Sequence, residues 1–242
     1  MNVPTISSSS HAWIRSAFPP ALVATVLGGV VIGAVMPAGV KAPSLLLLTA
    51  GLLPLHGIGL GVFLLLARKA RGAGLWRDVG LRRLSRRGVI SQFFLAVPIA
   101  FFILVMGLLM SQVCVIMLDI FGLSSTPPDL FDFMNPGRPV LAAAAFFTVI
   151  VWAPVSEEIL FRFGCFEFLQ SWHIPGPALW VGGLFALIHG QLFAVPTLFF
   201  LSLVLQTARV RGKGLWLPIF IHGFFNLFAS LLFIVEKAVN NG

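Results

Sequence analysis

Residues 152–162 read WAPVSEEILFR, and they bring two adjacent carboxylates and an arginine into a chain that carries very little charge. The stretch follows an apolar run from Val140 to Val155, so it lies at or within the depth of a membrane. A carboxylate without a partner is costly in hydrocarbon, and ionisable groups there pair, line a wet cavity or do chemistry. The stretch therefore indicates a membrane protein with a polar site inside it.

The composition supports the same class of protein. Of the 242 residues, 58% are hydrophobic and 10% are charged, whereas a soluble domain carries about 25% charged residues. The net charge of +8 comes from basic residues clustered between apolar runs, which is typical of membrane topology and not of nucleic-acid binding. Cys114 and Cys165 lie in apolar runs without metal-ligand spacing, so we expect them to be packing residues.

Apolar runs of about 17–25 residues mark spanning helices, and they predict an all-α, polytopic transmembrane bundle of about seven helices. We interpret residues 1–242 as a single membrane domain, with N-terminal helices and a basic loop in 1–121 and the polar motifs in 140–235. The predicted helices are 18–40, 44–67, 89–121, 140–170, 178–192, 197–208 and 215–235.

Basic residues are unequally divided between the predicted connections. The N-terminus, the loops 68–88 and 209–214 and the turn at His173 share one side and twelve basic residues. The other side holds three, Lys41, Arg138 and Lys237. The positive-inside rule therefore predicts a cytoplasmic N-terminus and an external C-terminus, in a bacterial inner membrane.

The glutamate stretch divides into a paired and a free carboxylate. Glu158 and Arg162 are four residues apart, so they face the same way on a helix and can pair. Glu157 is rotated by about 100° from Glu158 and is the freer carboxylate. Pro154 removes a backbone hydrogen bond nearby, which loosens the helix and lets water approach Glu157.

Two further helices bring polar groups into the bundle. His222 and Asn226 lie four residues apart on the last helix, and His189 closes the fifth predicted helix. A glutamate in an apolar bundle can act as a general base, and a neutral histidine can position the same water or protonate a leaving amine. A histidine and an asparagine on one face can supply two donors to a developing oxyanion. The set predicts hydrolysis.

Each of these residues also has a purely structural interpretation. Glu158 and Arg162 can form an ion pair that only supports the fold, and His189 can be a satisfied residue of a helix interface. His222 with Asn226 can serve as hydrogen-bonding contacts between helices. We expect Glu167 and His173 at the membrane interface and Gln206 in a contact between helices. His56 lies among glycines in the second predicted helix, where a functional role is the lesser alternative to a structural one.

Three motifs in order give the pattern its specificity. They resemble the signature of the CAAX protease and bacteriocin-processing family, which includes the type II CAAX prenyl proteases, intramembrane endopeptidases. The resemblance covers residues 152–228; each motif alone is weak, but the three together are strong. The motifs are Glu157-Glu158-x-x-x-Arg162, Phe185-x-x-x-His189 and His222-x-x-x-Asn226.

The resemblance implies a glutamic-type endopeptidase that works without a metal or other cofactor. Glu157 looks like the carboxylate that activates the attacking water, and His189 shares that water. The sequence leaves open which of the two glutamates is the base. The other implied roles are an oxyanion pair, His222 and Asn226, and a supporting pair, Glu158 and Arg162.

Other interpretations remain at this stage. Two histidines with one or two glutamates can hold a zinc ion, although no His-x-x-x-His pair is present and asparagine is a poor zinc ligand. A non-catalytic immunity or scaffold protein is a further alternative, and a small transporter is disfavoured because no two-fold repeat is visible. The partners we expect are the lipid bilayer and a membrane-anchored protein or peptide substrate, and no nucleic acid.

Overall fold

The structure is a computed structural model, and it describes residues 8–35, 53–81, 85–123 and 139–240. Every regular element in these ranges is helical, which confirms the predicted all-α bundle. A π-helical stretch, Leu53–Gly59, runs directly into the second helix. The main helices are α1 (Ser8–Val35), α2 (Leu60–Arg71), α3 (Arg86–Ile120), α4 (Pro139–Ser171), α5 (Pro177–Ile188), α6 (Val195–Gly212) and α7 (Trp216–Asn240).

Five of the described helices are long and apolar enough to cross a membrane, and α5 is a shorter apolar helix. The lipid-facing character of the surface is clear from large apolar side chains that point outward, such as Val30, Phe102 and Ile116. The chain is thus an integral, multi-pass membrane protein. The predicted loop 122–139 and the junction between the first two predicted helices lie largely outside the described residues.

α1 and α2 pack against the second half of α4 through a cluster of aromatic side chains. Trp13 of α1 lies 5.9 Å from Phe163 of α4, and Phe63 of α2 lies 6.4 Å from the same ring, both measured between ring centroids. All three side chains are buried. On the other side of the bundle, α7 packs along α3, and α6 packs against α3 and α5. The glutamate motif therefore lies between the two halves of the protein.

The irregular middle of α4 explains how α7 joins it. Two π-helical stretches, Thr148–Trp152 and Glu158–Cys165, flank the short α-helical turn that holds the first glutamate. In the first stretch, the N–H of Ala153 donates to the carbonyl of Thr148, five residues earlier. The carbonyl of Val149 would pair in the same way with residue 154, but Pro154 has no N–H to donate. The side-chain amide of Asn226 donates to this Val149 carbonyl instead, at 2.8 Å.

A glycine lets α7 approach this part of α4 closely. A Cβ atom on Gly223 would lie 2.8 Å from the backbone oxygen of Ile150, closer than real Cβ contacts. We therefore expect Gly223→Ala to lower the free energy of unfolding by about 1–3 kcal/mol, as overpacking does. Unfolding in mixed micelles measures the change. The matched control is Gly183→Ala in α5, whose Cβ would meet nothing within 4 Å, and equal stability of the two variants would contradict the close approach.

The predicted basic loop at 209–214 is wrong. Helix α6 continues to Gly212, and the turn forms only where Lys213 adopts a left-handed conformation, with φ 57°. The helix can continue because Arg209 forms an ion pair with Glu167 of α4 and also donates to the carbonyl of Arg162. Glu167, which we expected at the membrane interface, is accordingly only 3% exposed.

Contacts between the connecting segments place four of them at one end of the bundle. Arg15, near the start of α1, donates to Ser171 at the end of α4. The backbone of Gly80 touches that of Gly214, and the indole of Trp216 donates to the carbonyl of Leu81. The N-terminus, the segment after α2, the turn after α4 and the turn after α6 therefore share one side, as predicted. Their assignment to the cytoplasm stays a prediction.

Candidate active site

The second glutamate of the motif is held in a fully buried ion pair. Glu158 and Arg162 have no exposed surface, and the Nε of Arg162 lies 3.2 Å from Oε2 of Glu158. The same guanidinium donates to the hydroxyl of Ser202 at 2.8 Å and lies 4.6 Å from the centre of the Phe185 ring. The ion pair between Glu158 and Arg162 that the four-residue spacing predicts is therefore present. Side chains of α5 and α6 also contact the guanidinium.

His222 connects this pair to α7. Its Nδ1 lies 3.0 Å from Oε1 of Glu158, and the contact is a hydrogen bond. Because an ionised carboxylate only accepts, the Nδ1 of His222 carries the proton. The ring of Phe185 packs against His222, with 5.8 Å between centroids. His222 is thus oriented by the buried carboxylate and by an aromatic wall.

The first glutamate has a different environment. Glu157 is 6% exposed, and its two carboxylate oxygens face two different imidazole rings. Oε2 lies 3.7 Å from Nε2 of His222, and Oε1 lies 3.6 Å from Nε2 of His56. Within the described residues, Glu157 forms ion pairs with these two histidines and none with an arginine or lysine side chain. It is the carboxylate of the motif that is not neutralised by a permanent cation.

His189 is fixed in one tautomer at the end of α5. Its Nδ1 lies 2.6 Å from the carbonyl oxygen of Phe185, so this nitrogen donates and Nε2 is left with a lone pair. The ring also packs on Phe185, with 4.8 Å between centroids. A histidine held in this way is a ready acceptor for a water hydrogen.

A cavity of about 380 Å³ joins Glu157 and His189. Its polar lining includes these two side chains and His56, and Leu160 and Phe161 of α4 are part of its apolar lining. Its mouth lies between α1 and α5, where Leu22, Val26 and Ile188 line it and are each about half exposed. The cavity therefore opens through apolar side chains on the lipid-facing surface and ends at a carboxylate.

The sequence-predicted residues are brought together with one exception. Glu157, Glu158, Arg162 and His222 form a continuous set of contacts, and His189 faces Glu157 across the cavity. Asn226 is not among the residues that line the cavity, because its amide is engaged with the carbonyl of Val149. It occupies the helix-connecting position that the structural interpretation expects.

His56 is the residue that sequence reasoning missed. It is 7% exposed, it lines the cavity, and its Nδ1 bonds to the hydroxyl of Ser156, the residue before Glu157. It lies 100 residues upstream of the motif in the chain, so no spacing rule links the two. The only sequence signal was a histidine in an apolar segment, which is costly unless it is paired.

The donor groups of the site can be compared with those of a metal centre. In the described parts of the chain, no group of three or more His, Cys, Asp or Glu side chains is arranged to hold a metal ion. The imidazole nitrogens of His56 and His222 lie 3.6 and 3.7 Å from the carboxylate oxygens of Glu157.

Comparison with known families adds the decisive observation. Residues 139–228 match the family described as "Type II CAAX prenyl endopeptidase Rce1-like". This part of the chain is an Rce1-like domain. It runs from the start of α4 into α7 and includes all seven named residues of the three motifs. The resemblance drawn from those motifs is thereby confirmed over residues 139–228, where the chain is similar to a family described as an endopeptidase.

The chain is also similar to a curated protein of Escherichia coli. An uncharacterized 24.3 kDa protein of that organism is 35% identical over 81 residues, which are 31% of this chain. The match covers 37% of the relative's own length. No solved structure matches the chain.

Proposed function

We propose that the protein is an intramembrane, glutamic-type endopeptidase that needs no metal. The observation that supports this proposal is the cavity that both Glu157 and His189 line. Glu158 does not line that cavity and is already bonded to Arg162 and His222, so Glu157 is the better general base. The Rce1-like domain supports a peptide bond as the bond that is cleaved.

The reaction begins with a water molecule between the two groups. Glu157 takes one proton from the water, and the lone pair on Nε2 of His189 accepts a hydrogen bond from the other hydrogen. The water oxygen attacks the carbonyl carbon of the substrate. The proton on Glu157 then passes to the leaving nitrogen as the carbon–nitrogen bond breaks, which gives a new carboxylic acid and a new amine.

The tetrahedral oxygen needs donors, and α7 offers them. Nε2 of His222 lies beside Glu157 and can donate when both nitrogens of the ring carry a proton. The resemblance assigns Asn226 as the second donor; one hydrogen of its amide bonds to Val149, and the other would become a donor only if the cavity extended to Asn226. Glu158 and Arg162 support this arrangement, because Glu158 orients the ring of His222.

The shape of the cavity favours substrates that stay in the bilayer. Its mouth between α1 and α5 is apolar and faces outward, so a chain can enter from the lipid. Apart from Thr25 of α1, the polar residues that line the cavity are Glu157, His189 and His56. We infer that the substrates are membrane-anchored proteins or peptides whose anchor remains in the membrane while the bond reaches Glu157.

A survey of protein termini tests the proposed function. The full chain and its Glu157→Gln variant are produced at equal levels in the same bacterial host, and the termini of all membrane proteins are compared by mass spectrometry. We expect new termini next to membrane anchors with the active protein and none with the variant. Identical termini in the two samples would contradict the protease and favour the non-catalytic scaffold, for which the satisfied Asn226–Val149 contact is the supporting observation.

A further inference from the structure

The carboxylate of Glu157 lies between two histidines in matching positions. His56 presents its Nε2 to Oε1 at 3.6 Å, and His222 presents its Nε2 to Oε2 at 3.7 Å. The two rings come from opposite halves of the chain, one from the π-helical stretch before α2 and the other from α7. Together they fix the plane of the carboxylate from both ends.

The other nitrogen of each ring is also held, and the anchors flank Glu157 in the sequence. The Nδ1 of His56 bonds to the hydroxyl of Ser156, and the Nδ1 of His222 bonds to Oε1 of Glu158. Three consecutive residues of α4 therefore supply the clamped carboxylate and both anchors. Ser156 and Glu158 have no exposed surface, so water does not compete for these bonds.

The hydrogen of Ser156 decides the state of His56. The Ser156 hydroxyl donates to the carbonyl of Ala153 at 2.9 Å, as serine does within a helix. Its oxygen is then left to accept, so His56 donates from Nδ1 and turns Nε2 toward Glu157. An unprotonated Nε2 and an ionised carboxylate would repel each other at this distance. The two atoms lie 3.6 Å apart, an ion-pair distance, and this contact is favourable only when a proton on Nε2 of His56 or on Oε1 of Glu157 is shared across it.

We propose that His56 is a positioning residue that holds Glu157 at the wall of the cavity through this shared proton, with Ser156 as its anchor. The inference rests on the proposed function and adds a third histidine to the site. The ionisable groups close enough to act on His56 are Glu157, His189 and His222, which come from α4, α5 and α7. A histidine that merely filled space would have no need to present a nitrogen to each of two buried polar groups.

A spectroscopic experiment tests the contact without any substrate. The full chain is labelled with ¹⁵N-histidine in lipid bilayers, and the ring signals of His56 are assigned by their loss in His56→Gln. We expect the Nε2 signal of His56 to move in Glu157→Gln and to stay in place in the control Glu236→Gln, where an exposed glutamate near the end of α7 is changed. An Nε2 signal that is the same in wild type and Glu157→Gln would overturn the proposal.

A kinetic experiment tests the consequence. It uses purified protein in liposomes and, as probe, a membrane protein that the terminus survey identifies. The amide nitrogen of glutamine reaches as far as Nε2 of histidine, whereas that of asparagine reaches only as far as Nδ1. We expect His56→Asn to lower kcat about a hundredfold, the lower end for a proton-transfer group, and His56→Gln to recover most of it. His173→Gln, in the turn after α4, is the control that keeps full activity.

The outcomes separate the two proposals. If Glu157→Gln abolishes cleavage while folded His56→Asn cleaves as fast as wild type, the role of His56 is refuted and the protease stands. If Glu157→Gln cleaves normally, the role of Glu157 as the general base is refuted, and the ¹⁵N signal still decides whether His56 is bound to Glu157. Thermal unfolding of each variant identifies a loss of activity that is only a loss of fold.

Discussion

Replacing Glu157 by glutamine is expected to lower peptide hydrolysis by about 10²–10⁴-fold, which is what a positioned general base contributes. Glutamine has nearly the same shape, but it cannot take a proton from water. The variant should fold like wild type, because the amide still occupies the space between His56 and His222. The measurement is the initial rate of substrate cleavage in liposomes, together with thermal unfolding of the same sample.

Two comparisons make this result specific. Glu236→Gln removes a carboxylate outside the cavity and should leave the rate unchanged. Glu158→Gln weakens the bonds to Arg162 and His222, so it should lower stability as well as activity. A Glu157→Gln protein that cleaves within about tenfold of wild type would show that another group activates the water, since a lost general base costs more than that.

Arg162→Met is expected to lower the free energy of unfolding by about 3–5 kcal/mol, the cost of removing one partner of a buried ion pair. Methionine fills much of the space that arginine leaves, but the carboxylate of Glu158 then has no cation beside it. The hydroxyl of Ser202 and the ring of Phe185 lose their contacts with the guanidinium at the same time. Unfolding in mixed micelles measures the loss.

The double variant Glu158→Gln/Arg162→Met is the matched control. It removes both charges, so no uncompensated carboxylate is buried, and we expect it to be more stable than Arg162→Met alone. Arg68→Met, which changes an exposed arginine of α2, should cost no more than about 0.5 kcal/mol. A double variant less stable than the single one would mean that Glu158 is stabilised by something other than Arg162.

The sequence predicted well those parts of the site that are local. Apolar runs marked the long helices, and the four-residue spacing of Glu158 and Arg162 placed both on one face of α4, where they pair. Both predictions depend on the geometry of one helix, and that geometry is known before any tertiary contact is made. The three motifs added the family, which the match over residues 139–228 confirms.

Contacts between residues that lie far apart in the sequence could not be predicted from spacing. His56 reaches Glu157 from the π-helical stretch before α2, and Arg209 reaches Glu167 from the end of α6. Neither pairing follows from a spacing, because it depends on how two helices are rotated against each other. The contact of Asn226 does have a local cause in the sequence. Pro154 leaves the carbonyl of Val149 without a backbone donor, and Asn226 donates to that carbonyl, whereas from the sequence alone Pro154 predicted only a loosened helix.

The central claim is that Glu157 activates a water molecule for attack on a peptide bond in the cavity between α1 and α5. Its most direct measurement is cleavage in H₂¹⁸O, with the membrane substrate and the enzyme in one liposome and mass spectrometry of the product's new carboxyl terminus. With wild-type protein we predict one ¹⁸O atom in each new carboxylate, and with Glu157→Gln no labelled product above the uncatalysed level. Labelled product that forms at the same rate with both proteins would contradict the claim.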